Sequence, residues 1–596
     1  MKRAMLIIMT LSILILFSDL LPVTWEIKQD GTGDFTTISE GITAAQDGDT
    51  VLVYPGIYYE RINFQGKNIT VTSLYDGDQF DESYIANTVI DGNHEGTVVI
   101  FAGNETRNTI LNGFTVRHGY GNNDMLGPAH IGGGIFVYNA SPVISNCIIE
   151  YNYAFMGGGI NHRNANALLK GNTIRYNHAI EFAGILASGT GSSNLEFCTI
   201  SLNSVYLNYG GDGSDLFFGN QGEQSSIVID TLTVVNPDKH FVSFAAGTDH
   251  SPPDFTVTVN HGKIEPVAAD LYVSPDGCDT NSGLSPDEPL QNIALAIKML
   301  DVDDSTQRTV HVAEGIYSSS LNDQKFPIAL RDNVALIGAD MATTILDGEN
   351  EHPLIIIQSL STYVGPYYNF AVKNFSLVNG GNPIRYYTIQ VFRIEYGTDF
   401  EISNITVANC SVKGFIIVPL YIAGGENRIR DISIYDTMGS NAFLIYHARD
   451  EYDFYGENIR IRDHRAFEPP DPNYVSGIGR AMRISGDYGS PITENSRADI
   501  VNLEITNNHI DHVFPGWSSI PHGHLNVFNY GTIRIINATI GNNTSTNTYG
   551  GGIVFERGSY HAHLINSIVY GNSPDNIVVR NYYTYQQVHV HISNSL

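Results

Sequence analysis

The sequence predicts an all-β solenoid, a parallel β-helix, and three observations carry that reading. PVISNCIIEYN, ALLKGNTIRYN and SNLEFCTISLN are one unit written three times, ending on Asn152, Asn177 and Asn203 at spacings of 25 and 26 residues. A period of that size belongs to solenoids, propellers or arrays. Within each copy, apolar and often β-branched residues stand a few positions apart between Gly and Asn, the pattern of short strands joined by turns, and no helical stripe fits. A shorter motif, apolar-x-Asn-apolar-x-apolar with Asn at the third position in most copies, then continues as LNGFTV from Leu111, VKNFSL from Val372, ISNITV from Ile402, IRDISI from Ile429, IVNLEI from Ile500, IINATI from Ile535 and LINSIV from Leu564. Coils stacked at the ~4.8 Å spacing of paired strands account for all three. The recurring Asn is expected to stack as an amide ladder or to turn the backbone through αL.

Taken in order, residues 1–21 carry Lys2 and Arg3 and then the apolar run Leu6 to Phe17, the polarity and length of a secretory signal peptide. The chain is therefore expected to be secreted or held at the cell surface, and no later segment is long and apolar enough to span a bilayer. A first β-helix is expected over 22–267. It opens with a strand and a helix on which Ile38, Ile42 and Ala45 share a face, ended by Asp47-Gly48-Asp49. A second is expected over 268–596, because the same opening returns with Leu290, Ile293, Ile297 and Leu300 on its helix. Gly56-Ile57-Tyr58 matches Gly315-Ile316-Tyr317 at an offset of 259 residues, and Asp91-Gly92 matches Asp347-Gly348 at 256. Each helix is expected to cap a coil that would otherwise expose a strand edge and an open core. The final VHVHISNSL stops within a coil, so the natural protein is expected to continue beyond it.

Aligned on the terminal Asn, Ile144, Leu169 and Leu195 share one position and Ile149, Ile174 and Ile200 another. This places Cys147 and Cys198 two coils apart around Asn172, too far to bridge. Four cysteines in 596 residues do not make a disulfide scaffold. The formal charge of −30 argues against nucleic acid and anionic membrane as partners. A polysaccharide or cell-surface glycan is the expected partner, and the protein is expected to be monomeric.

On these capped openings and coil motifs, both halves resemble right-handed parallel β-helix proteins of the pectin-lyase-like superfamily, and the openings resemble those of secreted bacterial members with no assigned reaction. The resemblance covers nearly the whole mature chain and speaks to fold. DGTGDFTTISEGITAA and Gly56 to Glu60 also look like the start of a pectin methylesterase, which the resemblance would equip with two catalytic Asp motifs and an Arg motif. Only DLFFG, Asp215 to Gly219, approaches one of them. The three-Asp cluster of polygalacturonases is absent too. A pectate lyase would need Ca²⁺ held by carboxylates beside a basic residue, since abstracting a proton next to a uronate requires its carboxylate neutralised. Ca²⁺ is thus a cofactor that such a reading would call for, and no motif fixes it; the acidic loop Tyr75 to Glu82 lacks the regular spacing of a Ca²⁺ loop.

Three groups of side chains could carry chemistry. The coil IRIRDHR holds Arg460, Arg462, Asp463, His464 and Arg465, with Arg480 and Arg483 in the insertion that follows, the densest basic cluster among 32 basic and 62 acidic residues. Alternation turns Arg460 and Arg462 outward, where they could form a catalytic or glycan-binding patch; an exposed ion pair between Arg460 and Glu504 of the next core coil explains them as well. His522/His524, His561/His563 and His589/His591 are i, i+2 pairs that could hold a transition metal, or be ordinary solvated histidines. Tyr151, Tyr176 and Trp517 could stack on sugar rings, or cover their neighbours. The reading is an exported binding or surface-display module for extracellular polysaccharide. A polysaccharide lyase or other carbohydrate-active enzyme acting near residues 460–524, and a structural spacer, are the rivals.

Overall fold

The computed structural model describes residues 21–75, 83–121, 131–188, 199–211, 213–219, 226–244, 256–303, 306–358, 367–381, 389–395, 397–410, 417–423, 427–439, 441–447, 453–467, 480–486, 497–511, 522–528, 531–546, 550–556 and 560–596 except 581–587. The expected signal segment up to residue 20, most of the acidic loop, Cys198 and Trp517 lie outside the described residues.

Strands in the long ladders run parallel, and neighbours lie one coil apart in the chain. Among the described residues a 14-stranded sheet starts at Thr24–Ile27 and takes in strands as far as Thr256–Gly262, faced by a 7-stranded sheet. A second set starts afresh. Its 15-stranded sheet runs from Leu271–Val273 to Val588–Ser593, beside a 9-stranded sheet from Ile328–Ala329 to Asp575–Arg580 and a 4-stranded one. Each set encloses its own core, Ile27 to Val242 in one and Leu271 to Val569 in the other. The stack Ile405, Ile432, Ile459 and Leu503 shows how it is filled: one apolar residue per coil in register, each essentially inaccessible. Burying each such side chain stabilises by about 1.5–3 kcal/mol.

Both openings carry their cap. The helix Ile38–Ala44 is started by Thr37, which accepts from Glu40 N, while Glu60 accepts from Ile38 N and Ser39 N at 2.9 Å each. The helix Ile293–Met299 is started by Asn292, which accepts from Ala294 N at 3.1 Å. The duplication extends to single hydrogen bonds. Tyr58 donates to Tyr54 O at 2.9 Å and Ile27 O at 3.3 Å; Tyr317 donates to Ala313 O at 2.9 Å and Val273 O at 3.4 Å.

The motif Asn serves both expected purposes at once. Asn404, Asn458, Asn502 and Asn537 all have φ between 54° and 57°, the left-handed region that Asn tolerates best after Gly. Their side chains also connect coils: Asn404 Nδ2 donates to Asn374 Oδ1 at 3.0 Å, Asn502 to Asn458 at 2.9 Å and Asn537 to Asn502 at 3.2 Å. The turn bends each long strand, so residues before and after it face different sides.

The third repeat stacks differently from the alignment on terminal Asn residues. Leu169 pairs with Ile200 and Ile174 with Val205, and Asn177 N donates to Asn208 Oδ1 at 3.1 Å, not to Asn203. Asn203 instead receives Asn172 N at 2.9 Å, and so holds the position two coils from Cys147 that the alignment gave to Cys198. The reason is a half-repeat: buried Asn residues recur five apart within a coil (Asn172 and Asn177, Asn203 and Asn208), so a slip of one half-unit keeps every Asn on an Asn. Cys147 is buried and unpaired.

The two halves meet through the second cap. Ala294 and Leu295 pack on Tyr176, Tyr206, Leu207 and Tyr209 of the first helix. Buried Lys298 donates to Ser214 Oγ at 2.8 Å and lies 5.0 Å from the Phe241 ring centre. Arg331 pairs with Asp238 at 2.7 Å and Lys239 with Asp332 at 2.8 Å. Burial pulls the Lys298 ammonium down to about 8 and pushes the Asp215 carboxyl up.

Candidate functional site

The outward face of the second long sheet forms an open groove of about 1100 Å³. Strand alternation sets its lining. On strands Ala371–Val378, Phe400–Ala408, Asn427–Tyr435, Asp453–Arg462 and Arg497–Thr506, the residues before each αL turn residue, Asn in four of them and Asp431 in the third, alternate between core and solvent. Register then aligns Glu401, Arg428, Tyr455, Asp499 and Arg534 in one outward row, with Lys373, Ser403, Arg430 and Glu457 in the next.

Charges in this groove are largely committed to one another. Glu401 is held by Lys373 at 2.6 Å and by Arg430 at 2.5 Å. Partial burial pushes its carboxyl up, and those two cations more than reverse this, leaving it below the usual carboxylate range. Asp499 is gripped through both oxygens by Arg497, at 3.1 and 2.7 Å, and again through both by Arg534. Tyr455 and Arg428 remain available, beside the exposed turn residue Asp399. Tyr455 is 40% exposed, its hydroxyl 3.3 Å from Glu457, and exposed Arg428 beside it makes no hydrogen bond or ion pair with the described residues. The arrangement offers a planar ring and a free guanidinium on a floor of fixed donors and acceptors. It suits holding a polar ligand better than proton transfer, because Glu401 and Asp499 are both tied to cations.

The basic coil that the sequence singled out is distributed over several surfaces. Past the Asn458 turn, Arg460 points away from the groove and lies 3.8 Å from Glu504, both well exposed, the cross-coil pair the register required. Arg462 lies over the Tyr435 ring at 5.1 Å. Asp463 is itself a turn residue with φ 54°. His464, expected on the exposed patch, is buried: its backbone N–H donates to Asn508 Oδ1 at 2.9 Å and its Nδ1 lies 2.8 Å from Thr437 Oγ1, so it continues the inner Asn stack. Arg465 begins a strand of the 4-stranded sheet, paired with His509. Arg480 is buried on the 9-stranded sheet.

One histidine pair stands apart from the other two. His524 is buried with Nε2 2.9 Å from Thr544 O, on the 9-stranded sheet that also carries His522. His561 and His563 stand on the 15-stranded sheet beside His589 and His591. Tyr151 stacks on Tyr176 at 5.4 Å, and Tyr176 turns its edge to Tyr206 inside the contact with the second cap, which leaves Tyr151 the exposed member. Asp215, the remnant of the esterase-like motif, is fully buried and accepts from Asn208 Nδ2 at 3.1 Å, ending an amide stack. Sequence reading missed the groove because its members are a coil apart and share no local motif; only the register of successive Asn turns could have aligned them.

Residues 276–414 match a family described as proteins of unknown function (DUF1565). No curated protein matches the chain. Among solved structures, carrot pectin methylesterase is similar at 11% identity, over 55% of this chain and 89% of that one, with a TM-score of 0.23. The A-modules of two Azotobacter vinelandii mannuronan C-5 epimerases are similar as well. AlgE4 has 12% identity over 48% of this chain and 87% of its own, TM-score 0.24, and AlgE6 has 14% over 49% and 90%, TM-score 0.16. Likenesses this low leave the fold to rest on the parallel ladders themselves. The chain is a parallel β-helix protein. Its chemistry has to be argued from its own side chains.

Proposed function

We propose that this parallel β-helix is an exported polysaccharide-binding protein whose binding track is the groove along Lys373, Glu401, Arg428, Tyr455 and Asp499. The observation that supports it most is the free pair Tyr455 and Arg428 on a floor of fixed charges. A sugar ring presents an apolar face to an aromatic ring and hydroxyls to charged neighbours. A polymer lying across the strands meets a fresh coil every ~4.8 Å, which suits an open track. Small-molecule pockets, in contrast, enclose most of their ligand. The rival lyase reading needs Arg460, Arg462 and His464 in one groove, and their three different surroundings lend it no support.

The test is retention of the full chain on a panel of immobilised neutral and acidic polysaccharides, against the double variant Tyr455→Ala, Arg428→Ala. Retention on at least one polymer, weakened at least tenfold in the variant, is the expected result. No retention anywhere, or retention unchanged by the variant, overturns the reading; release of unsaturated sugar products by the unmodified chain would replace it with an enzyme.

A further inference from the structure

We propose that His561, His563, His589 and His591 form a binding site for one divalent transition ion on the outer face of the last two coils. Register places them as a square: His561 pairs with His589 and His563 with His591 on adjacent parallel strands, with Ala562 and Val590 between them turned the other way. The rings stand off the sheet in two stacks, His561 on His589 with centres 5.1 Å apart and His563 on His591 at 5.0 Å, while His561 and His591 are 6.3 Å apart.

Unlike the buried histidines, these four have no hydrogen-bond or ion-pair partner among the described residues. Buried His162 accepts from Ala167 N, His464 meets Thr437, His524 meets Thr544 O and His118 lies 2.9 Å from Asp91. None of the four outer imidazoles makes a hydrogen bond or ion pair with the described residues, so every ring nitrogen of the square is open to a ligand.

Imidazole donors choose the ion. Copper, nickel and zinc accept nitrogen ligands readily, whereas Ca²⁺ requires oxygen ligands, and the nearest outward residues on the preceding strand are Thr532 and Arg534, with Arg534 already committed to Asp499. Among the described residues no three metal-binding side chains already converge on one point. Binding therefore requires the rings to lean together out of their stacks. Exposed side chains on strands ~4.8 Å apart, two residues along about 6.6 Å apart, can do this from all four corners. The ion would tie strand Tyr560–Ile565 to strand Val588–Ser593, the last of the ladder.

The experiment is calorimetric titration of the metal-free full chain with ZnCl₂, NiCl₂ and CaCl₂, repeated on the variant His561→Gln, His563→Gln, His589→Gln, His591→Gln. One equivalent of Zn²⁺ or Ni²⁺ bound per chain, no Ca²⁺, and at least tenfold weaker binding in the variant are expected. Zn²⁺ should also slow amide exchange in Val588–Ser593 of the unmodified chain only. The changed side chains all face outward, and an unchanged far-ultraviolet dichroism spectrum confirms that the variant folds. Failure to take up a stoichiometric ion, or equal uptake by the variant, overturns the site.

Discussion

In the first helix an outward row of Asp91, Arg117, Glu150, Arg175 and Tyr206 pairs down the ladder, Arg117 with Asp91 at 2.9 Å, Arg175 with Glu150 at 2.8 Å and with the Tyr206 hydroxyl at 3.4 Å. The second helix builds its row of Glu401, Arg428, Tyr455, Asp499 and Arg534 from the same alternation of signs. The first row ends under the cap of its neighbour, where Tyr206 packs against Ala294, and every charge in it has a partner. The second stays open and leaves Arg428 unpaired. Alternating charge is thus what stacking identical coils readily gives, and access distinguishes a scaffold from a binding track.

The contact that closes the first row can be broken at Lys298. Replacing it by Met leaves buried Asp215 without its neighbouring cation and should cost about 3 kcal/mol, read as a lower urea midpoint. The pH dependence has a defined sign. With the folded pKa at about 8 and the ordinary value at 10.5, the unfolded chain binds more protons between them, so stability should rise with pH across that window. Lys298→Met should abolish the rise. Asp215, pushed up by burial, acts in the opposite sense: its contribution falls as pH climbs through the interval from the usual carboxylate value to its raised one. A flat profile in the unmodified chain would mean that water reaches the contact.

A sharper comparison comes from Glu150→Gln and Glu401→Gln. Glu150 is the more enclosed carboxylate, and losing its charge-assisted bond to Arg175 should cost about 1–2 kcal/mol. Glu401, a third exposed, should cost about 0.5–1 kcal/mol even with two cations beside it. Equal losses in denaturant titrations would erase the distinction between closed and open rows. The smallest effect belongs to Arg460→Ala. Its pair with Glu504 is too exposed and too long to hold more than ~0.5 kcal/mol, and glycan retention should not change; lost retention would move the track to the neighbouring face.

The features written locally were the legible ones. Period, turn residues and duplicated openings gave the coil, the αL Asn and both caps, and counting along the motif paired Arg460 with Glu504. What depended on a choice between equivalent registers failed: five-residue half-repeats let Asn203 stand in for Asn208, and only the stacking separates them. Burial imposed by distant segments was equally invisible. Nothing near Tyr176 announces that a helix more than a hundred residues later will cover it, and nothing near His464 announces Thr437 and Asn508 as its partners. The groove unites residues with no common motif, and so became apparent only once the ladders were aligned.

The second cap has a kinetic consequence. Ladder partners in these helices lie roughly one coil apart, so ordering proceeds by short loop closures, and coils gain stability mainly from their immediate neighbours. A chain with one cap would have a single sealed end from which to propagate. Because Tyr317 and the helix Ile293–Met299 rebuild the same starting platform, the later coils can nucleate without waiting for the earlier ones, and the docking of Lys298 onto Ser214 becomes the meeting of two already ordered bodies.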